Sequence, residues 1–162
     1  MMPLVLIASI AGIPALLSLL LRVNAVFVFL SIAAGNLLVL YLGRDAGNVG
    51  EMFIKGSNGP MIAQLAVLGL PLLLTFIFLR KTLPTSKILL HFLPVVASGI
   101  MLAALTLPIL PSDLQGQVFG SAVGPYFKNS QGLIVGAASV LTLLLTWFTY
   151  RSREDHSGKK HH

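Results

Sequence analysis

The chain contains no cysteine. Disulfides, thiolate metal sites and a cysteine nucleophile are therefore excluded. Charge is scarce too. Asp, Glu, Lys and Arg make up 10% of the 162 residues, whereas soluble domains carry about 25%. Five long stretches contain none of these four residue types. Catalytic signatures are missing: no HExxH, GxSxG, P-loop or GxGxxG occurs. No stretch offers a carboxylate pair for intramembrane proteolysis, nor the buried charges of an ion pump or proton-coupled antiporter. The chain is accordingly read as non-enzymatic, with no cofactor and no metal site.

What the sequence does have is apolar length. Hydrophobic residues are 56% of the chain, and the mean hydropathy is +0.89. A membrane span needs roughly 20 apolar residues. The stretches 3–21, 25–42, 60–79, 88–110 and 133–150 qualify. Backbone groups in lipid must be satisfied internally, and the alternation of a barrel strand is absent, so these are expected to be helices. The fold class is all-α, a polytopic membrane protein with five spans. Residues 1–150 form one transmembrane domain, and 151–162 a polar, disordered tail. No Lys or Arg precedes Arg22, so the first stretch is read as a retained span and not a signal peptide.

The formal net charge of +6 does not point to nucleic acid, because the basic residues fall between and after the apolar runs. They fit membrane topology instead. Arg22, then Arg80, Lys81 and Lys87, then the tail would share one side, collecting eight of the eleven basic residues. Arg44, Lys55 and Lys128 would lie on the other side. The expected location is a prokaryotic plasma membrane, N-terminus outside and tail in the cytoplasm. Tyr41 and Tyr126 then mark one interface, and Trp147 and Tyr150 the other.

Connections add detail. Arg22-Val23-Asn24 is so short that spans one and two are expected to form an antiparallel hairpin. The stretch 44–59 is read as a short flat helix capped by Asp45 and ended by Gly56, or as a mobile loop, because Gly47 and Gly50 weaken a helix. Prolines 14, 71, 94 and 108 interrupt the spans and are read as shaping kinks.

Small residues four apart let helices approach in lipid. Ala8/Gly12, Ser31/Gly35, Gly99/Ala103 and Gly132/Gly136 are such pairs, either within the chain or toward a partner. Polar residues inside spans point to sites. Asn36, Gln64, Thr106 and Ser139 could gather in one half of the membrane. The plainer reading is that they fix packing, since no charge accompanies them. His91, one turn from Lys87, is a candidate pH-sensitive residue, or an interfacial histidine reaching headgroups or a carbonyl. Ser98 is about 10.5 Å further along the helix, too far for a catalytic pair. His156, His161 and His162 match no structural zinc spacing.

The most unusual stretch is LQGQVFGSAVGPYF, residues 114–127. Gly116, Gly120 and Gly124 recur every fourth residue. From the first to the last a helix would rise about 12 Å, too little to span. It is read as a shallow helix capped by Ser112 or Asp113 and broken by Pro125, with a re-entrant helix as the alternative. The expected function is that of a structural or assembly subunit. It would sit in the lipid bilayer and pack with other membrane proteins or with itself. The alternative is a small pore or carrier for an uncharged or apolar solute, with 114–127 as lid or gate.

Overall fold

The computed structural model describes residues 2–54, 58–82, 88–121 and 124–157. These form six α-helices: α1 Met2–Leu20, α2 Ala25–Phe53, α3 Gly59–Phe78, α4 Ile88–Thr106, α5 Ser112–Phe119 and α6 Gly124–Ser157. A 3₁₀ turn, Leu107–Ile109, extends α4. Among the described residues there is no strand. Among the described residues four helices are long and apolar enough to cross a membrane, and α1 adds a shorter apolar one. The chain is therefore a helical, multi-pass membrane protein.

The bundle is organised around α4, of whose apolar stretch 56% is buried, against 17–28% for the other three long helices. On it pack α1, α6 and α2, while α3 packs on α2. Ile7, Pro14 and Ser18 of α1 are buried, and Ala11 between them meets Gly99 of α4. Spacings of three and four put all four on one face. From α6, Ala138, Thr142 and Leu145 are buried at the same spacing. Two ends can be distinguished. One holds α5. The other holds the turn after α1, the end of α3 and the end of α6.

Four expectations are corrected. First, α1 and α2 do not pair as a hairpin: α1 lies along α4. The turn between them carries Arg22 in the left-handed region (φ 54°) and an extended Asn24, which splays the helices. Second, α2 does not stop at Leu42 but runs 29 residues to Phe53. No separate helix starts at Asp45, and Gly56 lies outside the described residues. The glycines that argue against a helix here, Gly43, Gly47 and Gly50, are all buried. Gly47 and Gly50 face α3, and at Gly50 a Cβ would collide with the Gly59 carbonyl. Third, 114–127 is not one helix. It is split at Gly120, which ends α5. Fourth, Pro125 does not break a helix but sits in the first turn of α6, where its missing N–H has no partner to lose. That helix then runs without interruption past the expected tail boundary, through 151–157.

Candidate functional site

The residues that could carry function are best taken helix pair by helix pair. Between α2 and α3 the contact is built from small side chains. Ser31 and Thr75 share a hydrogen bond through their hydroxyls. A Cβ at Gly35 would overlap the Leu68 carbonyl, and one at Gly50 would overlap the Gly59 carbonyl. Gly47 lies 3.5 Å from Pro60 by the same measure. Gln64 donates from Nε2 to the Gly43 carbonyl oxygen at 3.2 Å. The two helices are thus closed along nearly their whole length by backbone approach.

Gln64 is consequently occupied by Gly43 and does not meet Asn36. Thr106 donates to the Leu102 carbonyl, and Ser139 to the Val135 carbonyl, both at 2.8 Å and both four residues back. Among the described residues no hydrogen bond joins any two of Asn36, Gln64, Thr106 and Ser139. Hydroxyls in a helix find the preceding turn before they find a neighbour. Asn36 itself is half-buried, one turn beyond the buried Ile32.

His91 points into the bundle. It is 1% exposed, and its Nδ1 accepts from the backbone N–H of Ala25 at 3.4 Å. That N–H is the first of α2 and has no partner within its own helix. Asn24 caps the next one, its Oδ1 accepting from Val26 N–H at 3.0 Å. His91 thus ties the start of α2 to α4. Ser98, fully buried, donates to the Pro94 carbonyl at 2.8 Å.

No family model matches this chain, and neither a curated protein nor a solved structure is similar to it. Its functional reading rests on the geometry alone.

The glycines singled out for helix packing divide into two groups. Gly35 meets Leu68, Gly99 meets the Ala11 carbonyl, and Gly124 meets the Val118 carbonyl of α5, all too closely for a side chain. Around Gly12, Gly116, Gly132 and Gly136, in contrast, a Cβ would meet nothing within 4 Å. Gly120 is the C-cap of α5 and touches only its own helix. The three glycines of 114–127 therefore form no common ridge.

Helix α5 caps the end of α4 and α1. Val118, 1% exposed, packs in a cluster with Ile7, Ala103, Leu107 and Leu110. Neither Ser112 nor Asp113 caps α5; Pro111 holds the N-cap position without a side-chain bond. Gln115 anchors the segment instead. Its Nε2 donates to the carbonyls of Pro108 (3.1 Å) and Leu110 (2.7 Å), which the end of α4 leaves open.

Among the described residues, two cavities bear on function. An apolar one of about 360 Å³ lies between α1 and α3, floored by Leu102, Thr106 and Leu110. A second, of about 410 Å³, lies at the tail end, lined by Leu20, Leu21, Arg22, Arg80 and Lys81. In the sequence alone the basic residues around it are legible only as topology signals. The signal that brings them together is that alternate connections lie on one side of a membrane.

Proposed function

We propose that the chain is a non-enzymatic structural or assembly subunit of a prokaryotic plasma membrane, packing through uncovered helix faces against other membrane helices. The observation that carries this reading is the bare face of α6. Gly132 and Gly136 stand one turn apart with open space around them, beside the exposed Leu133 (74%) and Val140 (55%). Small residues uncovered on a membrane helix invite a second helix to close on them. Ala8 and Gly12 of α1 repeat the pattern on another side, both exposed. The orientation with the N-terminus outside is supported by the eight basic residues of the tail side against three opposite.

The test is a photo-crosslinker at Leu133 in native membranes. One stoichiometric partner, a second copy or another membrane protein, is expected, and Gly136→Leu should abolish the adduct. A smear of unrelated adducts, unchanged by Gly136→Leu, overturns the reading. Reporter fusions after Lys81 should report a cytoplasmic position.

A second reading, a carrier for an apolar solute, is favoured by the cavity between α1 and α3. Gly69 lines it and has open space around its Cα, so Gly69→Phe would fill it. Uptake of an apolar dye by proteoliposomes, lost in Gly69→Phe, would support the carrier. Uptake equal to empty liposomes removes it.

A further inference from the structure

The cavity at the tail end is built by two connections that bond to each other. The backbone N–H of Lys81 donates to the Leu21 carbonyl at 3.0 Å, and that of Asn24 to the Thr82 hydroxyl oxygen at 3.1 Å. Thr82 in turn donates to the Leu79 carbonyl at 3.0 Å. The bonding holds Arg22 and Lys81 in the left-handed region, at φ 54° and 62°. That region is unusual for residues with a Cβ and native to glycine. The result is a cavity of about 410 Å³ with three cationic side chains, Arg22, Arg80 and Lys81, on its wall. Arg80 spends its Nε donor on the Phe76 carbonyl at 3.3 Å. Its four remaining N–H donors are on the terminal nitrogens, in the fork that suits a phosphate.

Two carboxylates, Glu154 and Asp155, lie on this side of the bundle, near the end of α6. Asp45 and Glu51 lie toward the far end of α2, and Asp113 starts α5, all at the opposite end of the bundle. Apolar surface continues directly from the cavity. Leu20 on its rim is 69% exposed, and Phe78, just before it on α3, is 77% exposed. A ligand with both an anionic head and apolar chains would satisfy the two surfaces together.

We propose that this cavity binds the phosphate of an anionic membrane lipid, with Arg22, Arg80 and Lys81 holding the headgroup and the acyl chains lying along Leu20 and Phe78. The basic charge lies in a pocket between helices at the membrane surface, which is where lipid headgroups are held. A soluble phosphate would use the cations but not the adjoining apolar surface.

The test is native mass spectrometry of the full chain in detergent, titrated with phosphatidylglycerol or phosphatidylcholine. The wild type should retain one phosphatidylglycerol in preference to phosphatidylcholine. Each of R80Q and R22G should weaken that retention about five-fold, near the worth of one cation at a membrane surface. The triple variant R22G/R80Q/K81G should lose the preference. Glycine at positions 22 and 81 suits the observed backbone, so these variants keep the fold while removing charge. Thermal unfolding without lipid should confirm this by an unchanged or raised midpoint. Equal retention of both lipids by the wild type overturns the proposal, and so does an undiminished preference in the triple variant. Displacement of the lipid by millimolar inorganic phosphate assigns the cavity to a soluble anion and overturns the lipid.

Discussion

At the scale of single residues, glycine means opposite things at different positions in this chain. Gly99 faces the Ala11 carbonyl so closely that no Cβ fits, whereas Gly12, one residue along on the same helix as Ala11, has nothing around it. Gly99→Ala must push α1 away from α4 and should destabilise by about 1–3 kcal/mol. Gly12→Ala fills open space in a helix interior and should be neutral or stabilising by up to about 1 kcal/mol. Unfolding of both variants in the same mixed-detergent titration checks the contrast. Equal effects would mean that the α1–α4 approach is not what Gly99 provides. His91 poses a different question. Removing its ring in His91→Ala leaves the Ala25 N–H buried without its partner, which should cost about 1–3 kcal/mol. His91→Asn replaces the acceptor and should recover part of the loss in the same titration. No recovery would mean that the ring acts by filling space.

At the scale of elements, the polar stretches resist reading, and the reason is visible in α2 and α5. Apolar length is a local property, so the existence of the helices in 3–21, 25–42, 60–79, 88–110 and 133–150 is legible from the sequence alone. Where α2 ends is not local. Gly43, Gly47 and Gly50 lower helix propensity, but all three are buried, and Gly50 meets the Gly59 carbonyl so closely that no Cβ fits, so a glycine that weakens the helix is the one that lets α3 close on its end. The end of α5 is set in the same way, by Gly124 packing on Val118. Of the candidate site residues, the sequence gives which are polar and at what depth. It does not give their partners, because Gln64 and His91 each bond a backbone group of another helix. Gln115 is the clearest omission: nothing in its neighbours marks it, yet it holds two carbonyls at the end of α4. Gln115→Leu should loosen that joint by about 1 kcal/mol per lost bond. Amide exchange across 111–121 should then quicken while α4 stays protected. Unchanged exchange would show that Val118 alone seats α5.

At the scale of the whole molecule, the length of the α2–α3 hairpin sets how the protein sits in a bilayer. The 29 residues of α2 measure about 43 Å, whereas a hydrocarbon core is about 30 Å thick. Fitting the helix by tilt alone would need roughly 45°, beyond the usual range of 0–40°. Tilting would also draw Arg44, Asp45 and Glu51, all exposed, into hydrocarbon. The hairpin must therefore stand out from the α5 side by about 13 Å, two to three helical turns. The part of α2 free of charged residues, 25–42, fits this placement. So does Tyr41, 82% exposed, where the helix would leave the lipid. The absence of cysteine makes the placement directly measurable, since any introduced thiol is the only one. Asn48→Cys, on the exposed side of the projecting part, should react with a membrane-impermeant maleimide added from the α5 side. Leu37→Cys, exposed but within the apolar part, should not. Neither should react when the reagent reaches only the tail side. Protection of Asn48→Cys from both sides would mean that the hairpin lies within the membrane, and that another helix covers its charged end.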